Sequence, residues 1–182
     1  HNYHMGITAE NVADEYNVTR EEMDAYSLRS QQRAVAAIDA GKFKDEIIPI
    51  TVHGKKGDVI YDTDEYPRRD ASLEKLAKLK PTFKEDGRVT AGNASGMNDA
   101  ASGVILMSEE KAKEVGAPIL ARIVSVATTG VRPEVMGIGP ISASQKALMK
   151  AGLTIDDIDL FEINEAFAAQ CIACAKTLRI DE

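Results

Sequence analysis

The chain has few of the residues that common catalytic and metal sites use. Its 182 residues include two cysteines, three histidines and no tryptophan. The histidines are His1, His4 and His53, and none stands in a recognisable order with a serine and an aspartate. A G-x-S-x-G elbow and the G-K-[ST] ending of a phosphate loop are also missing. The sequence therefore predicts no complete hydrolase or nucleotide-phosphate machinery.

The two cysteines, Cys171 and Cys174, form a C-x-x-C pair, a spacing that can serve redox chemistry or a zinc site. They lie inside "AFAAQCIACAKTL", a helical stretch, and no second cysteine or histidine pair completes a zinc site. We interpret both as small apolar residues that pack on a helix.

Long hydrophobic runs are missing as well. A membrane-spanning helix needs about 18 or more consecutive apolar residues, and no charged-then-apolar leader opens the chain. Apolar residues make up 44% and charged residues 28% of the chain, which is typical of a globular domain. We therefore predict a cytoplasmic protein with no membrane partner.

The net charge of −7 is unevenly distributed. Residues 68–88 contain seven basic and four acidic side chains, a local charge of +3. Nucleic acid requires a broad basic face, so it is disfavoured as a partner, whereas one basic stretch suits a compact polyanion such as a nucleotide phosphate. An ordinary solvated surface is the alternative.

The first part of the chain, up to about Gly96, is polar and rich in helix signals. We predict helices over residues 8–16, with Thr8 as N-cap, and 19–40, with a capping box at its start. "EIIPITV" and "DVIYD" predict a hairpin around "HGKKG", and Ser72 begins a short helix.

The second part alternates predicted strands and helices. The strands are in "VILMS", "PILARIVSVAT" and "IDLFEI", and the helices begin at Ser108 and in "GPISASQKALMKAG" and "EAFAAQCIACAKTL". Such alternation indicates an α/β fold, with helices covering the faces of a layered sheet.

Asn164 lies at the junction between the predicted strand "IDLFEI" and the helix that follows. Sheets of the α/β class place ligand sites at such junctions, and an amide can donate a hydrogen bond to an oxyanion or its water. An asparagine before a helix is also a common N-cap, so both interpretations stay open.

Four blocks resemble thiolases, in that family's order and spacing: "YHMGITAEN" (3–11), "GKFKDEIIPI" (41–50), "TAGNASGMNDAAS" (90–102) and "MGIGPISASQKALMKAGLTIDDIDLFEINEAFAAQ" (136–170). The resemblance implies acyl transfer through a cysteine thioester. It also implies part of a layered α/β/α/β/α fold with a helix-rich α+β loop domain. Residues 1–97 would be the partial CoA-binding loop domain, 98–117 the closing strand and helix of the N-terminal half, and 118–182 the beginning of the C-terminal half.

The resemblance also assigns roles to individual residues. Asn164 would hold a water in the thioester oxyanion hole and be the chain's catalytic contributor. The CoA-binding residues would be His4 and Met5 near the thioester, Arg68 and Lys75 near the adenine end, Ala91, Ala94 and Ser95 along the pantetheine arm, and Phe167 near the acyl pocket.

The family's nucleophilic cysteine, catalytic histidine and acid/base cysteine have no counterpart in these 182 residues. We therefore expect an internal fragment that is inactive alone, from an enzyme acting on acetyl-CoA, acetoacetyl-CoA and CoA. His4 before "MG" favours short acyl chains; a longer-chain 3-ketoacyl-CoA thiolase or a non-catalytic CoA-binding module are the alternatives. The resemblance further implies a homotetramer and no cofactor or metal, since CoA thioesters are substrates.

Overall fold

The structure is a computed structural model that describes residues 2–181, so His1 and Glu182 lie outside the described part. Its elements, in chain order, are α1 (Met5–Glu15), α2 (Arg20–Asp39), β1 (Ile50–Gly54), β2 (Gly57–Tyr61), α3 (Leu73–Ala77), α4 (Glu109–Val115), α5 (Gly139–Ala151) and α6 (Ala168–Leu178). Two short 3₁₀ segments, Pro133–Ile138 and Ile155–Asp157, flank α5.

The first helix begins earlier than the sequence predicts. His4, and not Thr8, is the N-cap, because its Nδ1 accepts a hydrogen bond from the backbone N–H of Gly6 at 3.1 Å. The Thr8 hydroxyl lies inside α1 and donates to the Met5 carbonyl. The prediction of Thr8 as N-cap was therefore wrong, because a histidine nitrogen can fill the same role as a hydroxyl.

The predicted capping box of α2 is confirmed. The Thr19 hydroxyl accepts from the N–H of Glu22, and the Glu22 carboxylate accepts from the N–H of Thr19. Two polar residues, Asp24 and Ser27, are buried beside Met23 on the inner face of α2.

Strands β1 and β2 form the predicted antiparallel hairpin, with Val52 opposite Val59. The hairpin stands out from the rest of the fold, and every residue of both strands is exposed. Gly57 in the turn has φ of +112°, a backbone conformation that L side chains rarely adopt.

The predicted strands after Gly96 do not form a sheet. Within residues 2–181, the hairpin is the only sheet, and "VILMS", "PILARIVSVAT" and "IDLFEI" have no regular structure. Their large apolar side chains are exposed, for example Ile105 at 86%, Leu120 at 94% and Leu160 at 89%. These strand predictions were wrong for the described structure, because a strand forms only where a neighbour pairs with its N–H and C=O groups.

Helices α4 and α5 begin as predicted. Ser108 caps α4 through its hydroxyl, and both helices end at a glycine in the left-handed conformation, Gly116 and Gly152. Asp157 accepts from the N–H and hydroxyl of Thr154, so this carboxylate caps a 3₁₀ turn.

Helix α6 is the centre of the core. Its residues 168–175 are all buried, and α1, α2, α5 and the segment Pro133–Ile138 pack around it. The small side chains of this helix allow the close approach from several sides. The helix carrying the cysteine pair therefore supports the segment that precedes it.

A second buried anchor connects α1 to the loop before residue 90. The Glu10 side chain is 2% exposed, and Oε1 accepts from the backbone N–H groups of Arg88 (2.8 Å) and Val89 (2.7 Å).

No helix in the described part of the chain is both long enough and apolar enough to cross a membrane.

Candidate functional site

A short backbone ladder joins the small-residue segment "GNASG" to the segment before α6. Ala94 and Phe167 form an isolated antiparallel bridge. The N–H of Ser95 donates to the carbonyl of Ala166 at 3.0 Å, and the N–H of Ala168 donates to the carbonyl of Asn93 at 3.0 Å. The fold therefore places Ala94 and Ser95 beside the chain that carries Asn164 and Phe167.

Asn164 is not a helix cap. Helix α6 begins at Ala168 and its N-cap residue is Phe167, in an extended conformation with no side-chain capping bond. The carbonyl of Asn164 accepts from the N–H of Ala166 at 3.0 Å, while its exposed side-chain amide makes no hydrogen bond within residues 2–181. The amide is therefore available to a ligand or a water, and the capping alternative is wrong.

An open cleft of about 940 Å³ lies between α2, residues 92–98 and residues 159–165. Three of the predicted site residues line it, namely Ala94, Ser95 and Asn164. The cleft walls in the described part of the chain do not include the other six: His4, Met5, Arg68, Lys75, Ala91 and Phe167.

His4, Phe83 and Phe167 form a row of rings at the start of α1. The His4 ring stacks on Phe83 with centroids 4.7 Å apart, and Phe83 meets Phe167 edge-to-face at 6.5 Å. Because His4 Nδ1 accepts from Gly6, a neutral His4 ring carries its proton on Nε2. The His4 Nε2–H therefore serves as a hydrogen-bond donor in the same row of rings as Phe167. Met5, next to His4, is 42% exposed.

Phe83 is a residue that the sequence did not single out. It is the one aromatic residue in the basic stretch 68–88, and this position in the sequence could have identified it as a candidate site residue. It packs against the main core together with Phe167, Tyr16 and Tyr26. Phe83 therefore links the predicted thioester end of the site to the core.

Arg68 and Lys75 lie on the surface, and the structure does not bring them to the cleft. Lys75 Nζ forms an ion pair with Asp70 at 2.5 Å, and this ammonium holds the pKa of the Asp70 carboxyl below its usual value. No ion pair within residues 2–181 holds the Arg68 guanidinium. Of the two, Arg68 is therefore more available to a phosphate. Ala91 is also exposed, at the start of the small-residue segment.

Much of the local positive charge on residues 68–88 is already paired with carboxylates. The pairs are Arg69–Asp39, Lys75–Asp70, Lys78–Glu74, Lys84–Asp14 and Arg88–Asp14. Each is at least partly exposed, so a ligand phosphate could exchange with the carboxylate at small free-energy cost.

Glu165 connects the chain beside Asn164 to α2. Its two oxygens accept from the Tyr26 hydroxyl at 2.9 Å and the Ser30 hydroxyl at 2.7 Å. Burial, together with the neighbouring Cys171, raises the pKa of Tyr26, so its hydroxyl stays protonated and donates at neutral pH. Two hydroxyl donors on successive turns of α2 therefore hold this segment in place.

The cysteines pack in the core as the sequence indicates. Both are free and buried, and burial raises the pKa of Cys171 and of Cys174 to about 11. The Cys171 thiol points at the Asn164 carbonyl, with Sγ 3.7 Å from the oxygen. Neutral buried thiols are poor nucleophiles, so neither cysteine is placed for acyl transfer.

The free Asn164 amide thus lies on the segment that pairs with the small-residue segment, and Phe167 on the same segment meets the row of aromatic rings. Two family models match the chain: "Thiolase, N-terminal domain" over residues 1–110 and "Thiolase, C-terminal domain" over residues 117–182. The chain belongs to the thiolase family.

Known relatives agree with this assignment. The chain is 63% identical over 176 residues to the acetyl-CoA acetyltransferase of Syntrophomonas wolfei, which covers 97% of this chain and 44% of the relative. The crystal structure of the Bacillus anthracis acetyl-CoA acetyltransferase superimposes with a TM-score of 0.93 at 52% identity, over 100% of this chain and 46% of that one. The crystal structure of human mitochondrial 3-ketoacyl-CoA thiolase superimposes with a TM-score of 0.87 at 48% identity, over 97% of this chain and 45% of that one.

The predicted fold class, a partial thiolase-like fold, is thereby confirmed. The chain spans less than half the length of each of these relatives. The boundaries at residues 97 and 117, and the role of each site residue, stay predictions.

Proposed function

We propose that this chain is the CoA-binding and oxyanion-contributing part of an acetyl-CoA C-acetyltransferase. The complete protein would condense two acetyl-CoA to acetoacetyl-CoA and CoA, or carry out the reverse thiolysis. The observation that carries the proposal is the ladder at Ala94 and Phe167, which sets the small-residue segment next to the free amide of Asn164. The identity of 63% to an acetyl-CoA acetyltransferase supports the same reaction.

In this proposal the pantetheine arm of CoA runs along the small-residue segment. Ala91, Ala94 and Ser95 leave room for the arm because their side chains are short, and the exposed Ser95 hydroxyl can bond to it. Arg68, with Lys75 nearby, would meet the nucleotide end. His4 Nε2–H, Met5 and Phe167 would lie near the thioester and the acyl group.

Asn164 would act on the thioester oxygen. Acyl transfer develops negative charge on that oxygen, and a donor amide, directly or through a water, stabilises this charge without changing its own. The hydrogen bonds to Glu165 from Tyr26 and Ser30 keep the neighbouring backbone fixed while the charge develops. The nucleophile would come from outside these 182 residues, since Cys171 and Cys174 are buried and protonated.

We also propose that the complete protein is a cytoplasmic homotetramer that takes acetyl-CoA, acetoacetyl-CoA and CoA and needs no cofactor. These proposals rest on the resemblance of the four sequence blocks. Analytical ultracentrifugation of the complete protein tests the tetramer. A metal- and nucleotide-depleted preparation that keeps full thiolysis would support the absence of a cofactor.

The test compares the complete protein with the 182-residue chain alone, by loss of acetoacetyl-CoA absorbance in the presence of CoA. We expect turnover by the complete protein, and none by the chain above a heat-denatured sample. Thiolysis by the isolated chain, or no thiolysis by the complete protein, contradicts the proposal.

A longer-chain 3-ketoacyl-CoA thiolase is the second candidate, favoured by the similarity to the human mitochondrial enzyme. The ratio of kcat/KM for acetoacetyl-CoA to that for a medium-chain 3-ketoacyl-CoA separates the two. The third, a non-catalytic CoA-binding module, would bind CoA with no turnover of either thioester.

A further inference from the structure

Asn93 is a buried residue in the small-residue segment whose side chain is fully hydrogen-bonded. It is 3% exposed. Its Oδ1 accepts from the N–H of Thr90 at 2.9 Å, and its Nδ2 donates to Asp24 Oδ1 at 3.0 Å and to the Arg88 carbonyl at 3.1 Å. The amide therefore closes the turn of residues 88–93 and attaches it to α2.

Asp24 continues this network towards the basic stretch. Its side chain is 6% exposed, and Oδ2 forms an ion pair with Arg20 Nε at 2.8 Å. The same guanidinium donates through its NH2 group to the carbonyls of Leu76 (2.7 Å) and Leu79 (3.0 Å) at the end of α3. A hydrogen-bonded relay thus runs from the end of α3 through the partly buried Arg20 and the buried Asp24 to Asn93.

The backbone of Asn93 belongs to the ladder. Its carbonyl accepts from the N–H of Ala168, the first residue of α6, and the next two residues are Ala94 and Ser95. One residue therefore uses its side chain to hold α2 and its main chain to hold the segment that carries Asn164 and Phe167.

We propose that Asn93, held by Asp24, is a positioning residue that sets Ala94 and Ser95 at their distance from Asn164. This inference rests on the proposed function, because it assigns the relay to the geometry of the CoA site. Asn93 touches no substrate in this account and acts through its neighbours. A rigid supporting group of this kind matters because misplacement by about 1 Å can cost about 100-fold in rate.

The hydrogen bond between Asn93 and Asp24 predicts the effects of substituting each residue alone and of exchanging the two. Asn93→Asp puts two carboxylates together in a buried position, and Asp24→Asn leaves one acceptor oxygen where Asn93 Nδ2 and Arg20 Nε each need one. The exchange Asp24→Asn with Asn93→Asp restores a donor–acceptor pair between the two positions, an acceptor for Thr90 N–H and an acceptor for Arg20. It loses the bond to the Arg88 carbonyl and sets a carboxylate oxygen against that carbonyl oxygen. The exchange should therefore perform better than the worse single variant, a coupling that a double-mutant cycle measures.

The experiment uses the complete protein as wild type, both single variants, the exchange and Asp45→Asn, an exposed charge control. For each we would measure thermal unfolding, kcat and KM for CoA in thiolysis, and the CoA dissociation constant by calorimetry. We expect the single variants to raise KM and the dissociation constant about tenfold, with the exchange recovering part of that loss. Asp45→Asn should match wild type.

Two results would overturn the inference. One is a loss of kcat and thermal stability at unchanged KM and unchanged CoA affinity, which is the pattern of fewer folded molecules. The other is an exchange variant no better than the worse single variant in KM and CoA affinity. If wild type binds CoA but shows no thiolysis, the proposed function fails, and the pattern of dissociation constants still decides whether Asn93 positions the site.

Discussion

Gly6 in α1 lies directly against the ring of Phe83. A Cβ at Gly6 would be 2.1 Å from Phe83 Cδ2, well inside any permitted contact. The same ring stacks on His4 and meets Phe167 edge-to-face. The absence of a side chain at residue 6 therefore sets how closely the aromatic row approaches α1.

Gly6→Ala should destabilise the complete protein by about 1–3 kcal/mol, because the ring of Phe83 must move. Helix propensity alone favours alanine by up to about 1 kcal/mol, so overpacking and propensity oppose each other and overpacking should win. Urea unfolding followed by circular dichroism gives the free energy. Gly103→Ala is the matched control, since nothing lies within 4 Å of its Cβ position. Equal stability of the two variants would show that Phe83 moves freely.

Asn164→Ala should lower kcat for thiolysis about 100-fold, the usual loss for one oxyanion donor. The melting temperature should not change, because the amide is exposed and makes no hydrogen bond within residues 2–181. Ser108→Ala is the opposite control: it removes the cap of α4 and should lower stability by about 1 kcal/mol with kcat unchanged. An Asn164→Ala enzyme with normal kcat would remove this residue from the site.

Ser95→Leu should raise KM for CoA while the protein stays folded. The backbone hydrogen bond from Ser95 to Ala166 does not depend on the Ser95 side chain. Because that side chain is exposed, a leucine side chain would collide with the proposed pantetheine arm and not with the core. Ser95→Ala separates size from hydrogen bonding, because it removes only the hydroxyl. Steady-state kinetics with CoA as the varied substrate measures both. Normal kinetics for Ser95→Leu would exclude the arm from this segment.

The buried thiols predict a fall in stability at alkaline pH. Burial raises the pKa of Cys171 and Cys174 from 9.0 to about 11, so above pH 9 the unfolded chain loses protons that the folded chain keeps. The contribution of these thiols to the free energy of unfolding is fully present below pH 9 and is lost progressively up to about pH 11. Unfolding free energies of wild type and Cys171→Ala with Cys174→Ala, measured between pH 7 and 10, supply the test. A difference between the two proteins that stays constant with pH would contradict it.

Local sequence signals predicted the helices well. The capping box at Thr19 and Glu22, the Ser108 cap and the glycine ends of α4 and α5 each depend on contacts within a few residues, so the chain itself reveals them. The start of α1 was missed because histidine is an uncommon cap, even though His4 performs that role.

Features that depend on distant residues were not predictable in the same way. The strand predictions failed because β-propensity does not identify a pairing partner, and none exists for those segments within residues 2–181. The resemblance pointed to Ala94, Ser95 and Asn164 separately, and the structure brings them to one cleft. The buried Asp24–Asn93 bond and the position of Phe83 come from tertiary packing that no local pattern contains.

The ladder between residues 93–95 and 166–168 consists only of main-chain groups. Any residue except proline can supply the N–H that positions 95 and 168 donate. Natural variation can therefore replace the side chains at positions 94, 95 and 167 without moving the backbone beside Asn164. Under the proposed function, a lineage carrying this fold could change its preferred acyl chain by substitution at position 167 and keep the same backbone beside Asn164.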